Sequence, residues 1–550
     1  MLNNKVNALA EKKHFAVVLF FVYLLLSLFL YRHTIGSRLV TDAQNWLILY
    51  DAIGWNGVLN SFGENALHPV YHFFFFLSYQ IFGTNETGWY LLFTSLHAIN
   101  AALIFTVFKK YFSFVKIQDK NLISISASFL FLLSPYQTEA VVWGATIHYL
   151  LVTLCTLLII NLVLLYTENN KRKYLLPIPL LFCFALLSLE LALCIPIILI
   201  ILFLFKKRDE GITPKQKILT HIISPLLILT AGYFVANKII LGDWVGHYGA
   251  ATHLKFSVME FFTNFNKYIF KFLFFGNFII GSLNEKTKGF LDNNTIIYIG
   301  LIVYGSVIGF YIFLKKIRFA INKSVLLFLC FGAALLPVLN LFFNTLPIEG
   351  DRLGYLASAF FYLTFSLLIF SLFQKSGLIL IIFFSIFSIF LLDKNLRSWK
   401  NSAIVQQGLE NNYTWTDAEN VYVLNIPDNF NGAYLYRDNG STSKFKAALA
   451  LKKEEKIQGD IHEILQYNMT STDNSVSIEI MDSTTLKVTF DQWGNWWWRG
   501  GIGASNYEND LYKVTIDEWS HAYMVTFKQK RPGDVFIYQK GISWQRVNGF

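Results

Sequence analysis

TDAQNWLILYDAIGWNGVLNSFGENALHPVYHFFFFLSYQIFGTNETGWYLLFTSLHAIN spans residues 41–100, between the first strongly apolar segment of the chain and the body of the second. Polar and acidic residues here (Asp42, Asn45, Asp51, Glu64, His68, His72) alternate with aromatic ones. A lipid-facing helix would not carry so many polar groups, and a flexible linker would not carry so many rings. A long amphipathic connector held between two membrane spans is the natural place for a site at the membrane surface.

The rest of the chain fits a membrane setting. Of 550 residues, 54% are hydrophobic and 15% charged, and the mean hydropathy is +0.44. Soluble domains carry about 25% charged residues, so most of this chain belongs in lipid. The 54 Phe and 28 Tyr supply rings for apolar packing and for the membrane interface. A formal charge of +10 invites a nucleic-acid reading. The Lys and Arg residues, however, cluster in short connectors between apolar runs: Lys109/Lys110, Lys171/Arg172/Lys173, Lys206/Lys207/Arg208 and Lys315/Lys316/Arg318. That is a positive-inside pattern, and no nucleic-acid partner is needed to explain it. Cys155, Cys183, Cys194 and Cys330 all lie in apolar runs without metal-site spacing, which reads as buried thiols.

Runs able to cross a bilayer need about 17 to 25 residues. Candidates lie at 14–31, 88–108, 121–134, 147–166, 174–188, 191–205, 217–240, 295–314, 324–346, 353–373 and 377–392, so roughly eleven spans are expected. The first follows Lys5, Lys12 and Lys13 and is followed by no small-residue cleavage site, so it reads as an uncleaved span. With the N-terminus inside, every basic connector is cytoplasmic. Connectors 32–87, 135–146, a turn at Glu190, 241–294 and 347–352 then lie outside, as does everything after Asp393. Within 241–294, Lys267 and Lys271 sit among Phe and Tyr at helical spacing, which suits a helix lying at the interface near 256–281.

These patterns predict an α-helical polytopic membrane domain over 1–393, with outer loop 32–87 carrying the site, and a mostly-β domain over 394–550 on the non-cytoplasmic side. Short alternating segments such as Val421–Pro427, Val476–Met481, Thr485–Phe490 and Asp534–Lys540, punctuated by turn signals at Asp438-Asn439-Gly440, Gly494-Asn495 and Arg531-Pro532-Gly533-Asp534, suggest a β-sandwich. Trp493–Gly501 (WGNWWWRGG) reads as core or membrane-side packing. No P-loop, dinucleotide fingerprint or nucleophile elbow has its supporting context.

Each polar residue at the outer ends has a chemical and a plain reading. Asp42 suits a general base or a cation ligand, and its plain reading is a helix N-cap, for which Thr41 or Asp42 would serve. Asp51 and Glu64 are the next acids in the same loop. His68 and His72 are four apart, but Pro69 favours the first helical turn and makes His68 an N-cap. A substrate or phosphate contact fits them better than a metal pair, which lacks a third ligand. His97 is a polar ring on an apolar span, a functional group or an interhelical hydrogen bond. Glu139, with His148 in the same segment, lies at the start of a helix, where a carboxylate also suits the helix dipole. Asp351 and Arg352 begin a span, where Arg can grip a phosphate with two prongs or anchor at the interface.

Three segments in order, HPVYHFFFFLSYQIFGTNETGWYLLFTSLHAINAAL, SPYQTEAVVWGATIHYLL and EGDRLGYLASAFF, resemble the GT-C superfamily of membrane glycosyltransferases. They look most like its protein O-mannosyltransferase-like branch, which includes the tetratricopeptide-bearing transmembrane mannosyltransferases. The resemblance covers roughly residues 35–370. It implies a polyprenyl-phosphate-linked sugar donor and inverting transfer to a protein, lipid or glycan acceptor on the outer face of a bacterial inner membrane. It places Asp42 at the reaction centre, with Glu139 and Arg352 matching polar residues of later outer loops. A divalent cation is compatible with it. Asp42 is followed by Ala43 where the family often has a second acid, and the repeats are replaced by the β-rich tail, so no acceptor type carries over. The competing classes are a lipid-carrier transporter, an envelope-glycan assembly partner, and a ligase or polymerase of lipid-linked glycans. A transporter would place charges at mid-membrane, whereas these gather at one face.

Overall fold

The computed structural model describes residues 14–60, 66–204, 215–246, 257–278, 286, 289–290, 319–341, 348–437, 443–452, 457–491, 497–498, 506–517 and 521–550. The chain is mostly helical, and its C-terminal region is rich in strands. The helices that set the site are α1 (Phe15–Tyr31), α2 (Asp42–Ile53), α3 (Pro69–Phe82), α4 (Glu86–Phe114), α5 (Lys120–Leu133) and α6 (Ile147–Asn169). They are followed by α7 (Val258–Phe274), α8 (Phe319–Leu335), α9 (Tyr355–Phe373), α10 (Gly377–Asn411) and, in the tail, α11 (Lys444–Lys452).

Among the described residues, five stretches are long and apolar enough to cross a membrane: Phe15–Thr34, Glu86–Phe114, Gly144–Asn169, Gln216–Ile240 and Asp351–Asn411. The last folds as α9 and α10, joined by a 3-10 turn at Gln374–Ser376. Apolar helices at Lys120–Leu133, Glu190–Phe203 and Lys323–Val338 are shorter. The expected span at 295–314 lies outside the described residues. On α10, Ile379, Phe383, Ile386 and Phe390 are each more than 60% exposed at i, i+4, i+7, i+11 spacing. An uncovered apolar stripe of this kind suits lipid rather than water.

The loop 32–41, which follows α1, meets the N-terminal end of α4 through Glu86 and the segment before α6 through Trp143 and Gly144. Asn85 caps α4, accepting from Thr87 N at 3.0 Å. The basic pairs Lys109/Lys110 and Lys171/Lys173 sit at the far ends of α4 and α6.

Two expectations need correction here. The composition change at Asp393 is not a break in structure: α10 continues to Asn411. Its Trp399, fully buried, still packs in the membrane-domain core, while Val405 and Leu409 belong to the core of the tail. The tail is also not a simple sandwich of hairpins. Asn420–Val423 pairs in parallel with both Val535–Lys540 and Asp460–Glu463, and Ile426–Phe430 pairs in parallel with Gln466–Met469. Parallel neighbours need crossovers, which α11 and a separate five-stranded antiparallel sheet provide room for. Trp497–Trp498 forms a strand on Gln466–Tyr467, and the neighbouring 492–496 and 499–505 lie outside the described residues.

The helix expected at the interface forms as α7, but it is not simply laid on a surface. Lys271 is buried and paired with Asp351, and Asn264 Nδ2 donates to the Leu339 carbonyl at 2.7 Å. The apolar pattern showed one wet face, whereas α7 hides that lysine against a partner eighty residues later.

Candidate active site

The loop before α2 is fixed from several sides. Glu86 accepts from the backbone N–H groups of Arg38 (3.3 Å) and Leu39 (3.2 Å), and the buried Arg38 guanidinium donates to the Thr34 carbonyl at 2.6 Å. Ser37 Oγ donates to the Trp399 carbonyl at 3.0 Å, tying the loop to α10. Gly144 N donates to the Arg38 carbonyl at 2.9 Å, and Trp143 Nε1 to the Val40 carbonyl at 3.3 Å. Thr41, the N-cap, has φ +51°, an outlying conformation for a β-branched residue that these neighbours must hold. It delivers Asp42 as the first residue of α2.

The close approach of Gly144 makes a direct test of this scaffold. A Cβ there would stand 2.7 Å from the Arg38 carbonyl oxygen, which is backbone and cannot swing away. Gly144→Ala is expected to destabilise the protein by about 1–3 kcal/mol through overpacking. A lowered thermal unfolding midpoint in detergent would show it, and an unchanged midpoint would mean the loop is looser than drawn.

Asp42 opens into a cavity of about 1050 Å³. Its walls include Asn45, Trp46 and Leu49 of α2, His68, Tyr71 and His72 at the start of α3, Trp143, Thr146, His148 and Tyr149 before and in α6, and Arg352 before α9. The tail closes the remaining side with Tyr434, Arg437, Ser443, Lys444, Lys446, Ala447 and Ala450. The Asp42 side chain is 44% exposed, and its Oδ1 lies 3.4 Å from Lys444 Nζ.

The three histidines line one wall. His68, N-cap of α3 ahead of Pro69, bonds through Nε2 to Glu190 Oε2 at 2.8 Å. Its ring lies beside that of His148, with centroids 6.3 Å apart. His72 Nδ1 lies 3.2 Å from the Tyr50 hydroxyl and its ring is 4.3 Å from that of Trp46. Burial, and then the neighbouring His68, pushes the His72 imidazole down to about 3. It is therefore neutral at physiological pH. The folded pKa lies below the unfolded one, so between about pH 6.5 and 3 the unfolded chain binds a proton that the folded chain does not. Stability falls as the pH drops through that window, with a limiting slope of about 1.4 kcal/mol per pH unit. Comparing unfolding midpoints at pH 7 and 5 should show a smaller loss in His72→Gln than in the native protein. Equal losses would assign the acid sensitivity elsewhere.

Behind the cavity, Glu139 in the helical turn Thr138–Val142 is fully buried. It accepts from the Arg352 guanidinium, from Arg352 N at 2.8 Å and from the Tyr434 hydroxyl at 2.9 Å. Burial, reinforced by Glu139, pushes the Tyr434 phenol well up, so it remains a donor. The Arg352 guanidinium lies 5.1 Å over the Trp143 ring, and that of Arg437 4.7 Å over the Tyr434 ring. Arg437 also pairs with Asp428 at 2.9 Å and with Glu349. The tail is thus bonded directly into the membrane-domain end of the site.

No family model matches the chain, and no curated protein matches it. The functional reading therefore rests on its own residues.

Of the residues singled out from sequence, Asp42, His68, His72, His148 and Arg352 share this cavity, and Glu139 stands behind Arg352. Three do not belong. Asp51 is exposed on the opposite face of α2, nine residues or half a turn out of phase with Asp42, and accepts from the Tyr79 hydroxyl. His97 is fully buried between helices, with Nδ1 2.8 Å from the Tyr355 hydroxyl and Nε2 3.3 Å from the Leu132 carbonyl. It is an interhelical hydrogen-bond pair of the plain kind. Asp351 is buried in its pair with Lys271 and does not line the cavity. Glu64 lies outside the described residues. Sequence reading missed Glu190, Tyr434, Arg437, Lys444 and Lys446. Glu190 carried a usable signal, a lone carboxylate between two apolar runs.

Among the described residues, no group of three or more His, Cys, Asp and Glu side chains gathers to hold a metal ion. Glu139 and Glu190 face Arg352 and His68. A divalent cation in the cavity would find the carboxylate of Asp42 beside a lysine, a poor donor set for a hard cation. What the arrangement offers is one solvent-reached carboxylate among cations, imidazoles and aromatic rings. That combination suits a proton acceptor beside an anionic leaving group and a sugar.

Proposed function

We propose that the chain is a GT-C-type membrane glycosyltransferase. It moves a sugar, with inversion, from a polyprenyl-phosphate-linked donor to a hydroxyl-bearing protein, lipid or glycan acceptor at the non-cytoplasmic face. The observation that carries the reading is Asp42: a half-exposed carboxylate in a large cavity lined otherwise by Arg352, Arg437, Lys444, Lys446, three histidines and aromatic rings. A long isoprenoid carrier stays in the bilayer, so its phosphate lies at the surface and the enzyme must meet it there. Arg352 and His68 offset charge on the departing phosphate, Asp42 takes the acceptor proton, and the Trp and Tyr rings face the sugar. Glu139 orients the Arg352 guanidinium at the wall of the cavity that it lines.

The same reading makes the chain an inner-membrane protein of about eleven spans with its N-terminus in the cytoplasm and its tail outside. It is supported by the position of Lys109/Lys110 and Lys171/Lys173 at the helix ends opposite the cavity. The test is the purified protein in vesicles with a synthetic polyprenyl-phosphate hexose and native membranes as the acceptor source. Free polyprenyl phosphate and labelled glycoconjugate should appear together. Donor that crosses the vesicle unchanged would replace the enzyme by a carrier transporter, and donor neither consumed nor moved would remove both.

A further inference from the structure

We infer that the tail is part of the catalytic centre, with Lys444 of α11 a positioning residue for Asp42. The inference rests on the transferase reading above. Lys444 comes from 402 residues further along the chain, yet its side chain is only 5% exposed and its ammonium ends 3.4 Å from Asp42 Oδ1. A buried ammonium has three donors to place. Its neighbours on α11 do not compete for Asp42: Lys446 pairs with Asp460 at 3.0 Å, and Ser443 Oγ donates to Glu463 at 2.7 Å. Glu463 also accepts from Phe445 N at 3.2 Å, so the first turn of α11 is already capped by protein and offers no anion site of its own. What α11 presents to the cavity is therefore Lys444, the Asp460-paired Lys446 and, along its face towards α2, the small side chains of Ala447 and Ala450.

The distance decides which substrate Lys444 serves. Inverting transfer puts the sugar ring between the base and the departing oxygen. In inverting glycosidases the two carboxyl groups stand about 6.5–9.5 Å apart for the same reason. A cation 3.4 Å from the base lies on the acceptor side and cannot also hold the leaving phosphate. Lys444 instead fixes the direction of the Asp42 carboxylate and keeps it charged and open to a hydroxyl. The proton of that hydroxyl passes to Asp42 as the oxygen bonds to the anomeric carbon, and the electron pair of the broken bond leaves with the carrier phosphate.

Lys444→Met, Lys444→Arg and Lys444→Ala are compared with the native protein in native membranes supplied with the synthetic polyprenyl-phosphate hexose. Lys444→Met should lower turnover by about tenfold or more at unchanged donor KM, because a misdirected base loses rate rather than donor affinity. Lys444→Arg should keep most of the turnover, and ethylammonium chloride should restore part of it to Lys444→Ala, which a merely structural lysine would not allow. In the native protein, a water-soluble carbodiimide should join Asp42 to Lys444 as an amide, detected by peptide mass spectrometry and absent in Lys444→Arg. A raised donor KM at unchanged turnover would make Lys444 a phosphate ligand, and native turnover in Lys444→Met would dismiss its role; either overturns the inference. Failure of the native protein to use any lipid-linked donor would instead sink the transferase reading, while the crosslink alone reports the contact.

Discussion

Asp42→Asn should lower sugar transfer by about a hundredfold or more while the protein stays folded. The amide keeps the size and polarity of the carboxylate but cannot take a proton from an acceptor hydroxyl. General-base catalysis is typically worth 10²–10⁴ in rate, and nothing else in the cavity can replace it easily. Of the histidines on that wall, His68 faces Glu190, and burial makes the His72 imidazole a weak base. The effect on stability should be small. The Asp42 side is half open to solvent, and the amide oxygen of asparagine can still accept from the buried Lys444 ammonium. Asp51→Asn is the matched control. It removes an acid from the same helix, but from its far face, and should leave transfer near native. The measurement is initial rate with the synthetic donor, alongside unfolding midpoints for all three proteins. Comparable rates in Asp42→Asn and Asp51→Asn would move the base elsewhere and end the present assignment.

The distribution of what could be read in advance has a physical cause. Asp42, His68, His148 and Arg352 were legible because each is a polar group at the end of an apolar run, where lipid or packing would otherwise exclude it. That they share one cavity came only with the fold. Asp51 was separable by arithmetic, since nine residues place it half a helical turn from Asp42. His97 and Asp351 were not separable from site residues by sequence. What makes them structural is a partner far along the chain, Tyr355 for one and Lys271 for the other. The tail residues were invisible for the same reason. RDNGSTSKFK, from Arg437 to Lys446, looks like an ordinary polar turn, and only the fold carries Arg437 and Lys444 onto the membrane end. Periodicity finds faces of elements, but it cannot say which faces meet across hundreds of residues.

That limit gives the sharpest stability test. Lys271→Met should destabilise the protein by about 3–5 kcal/mol, because it leaves the Asp351 carboxylate without its cation. Both side chains are almost completely sequestered, at 2% and 0% exposure. Methionine fills much of the lysine volume and keeps the contacts with the Tyr136 and Tyr268 rings, which lie 5.1 and 5.7 Å from the ammonium, so the loss is one of charge rather than packing. The Tyr136 hydroxyl still donates to the Lys271 backbone carbonyl at 2.8 Å. Removing the second charge should therefore undo most of the damage: Lys271→Met with Asp351→Leu trades a buried ion pair for apolar contact, which is often neutral or favourable. Unfolding midpoints in detergent, in a double-mutant cycle, measure this directly. Strong coupling means that Asp351 holds α7 against the start of α9. A Lys271→Met protein that unfolds like the native one, combined with an Asp351→Asn protein whose donor KM rises, would instead return Asp351 to the substrate.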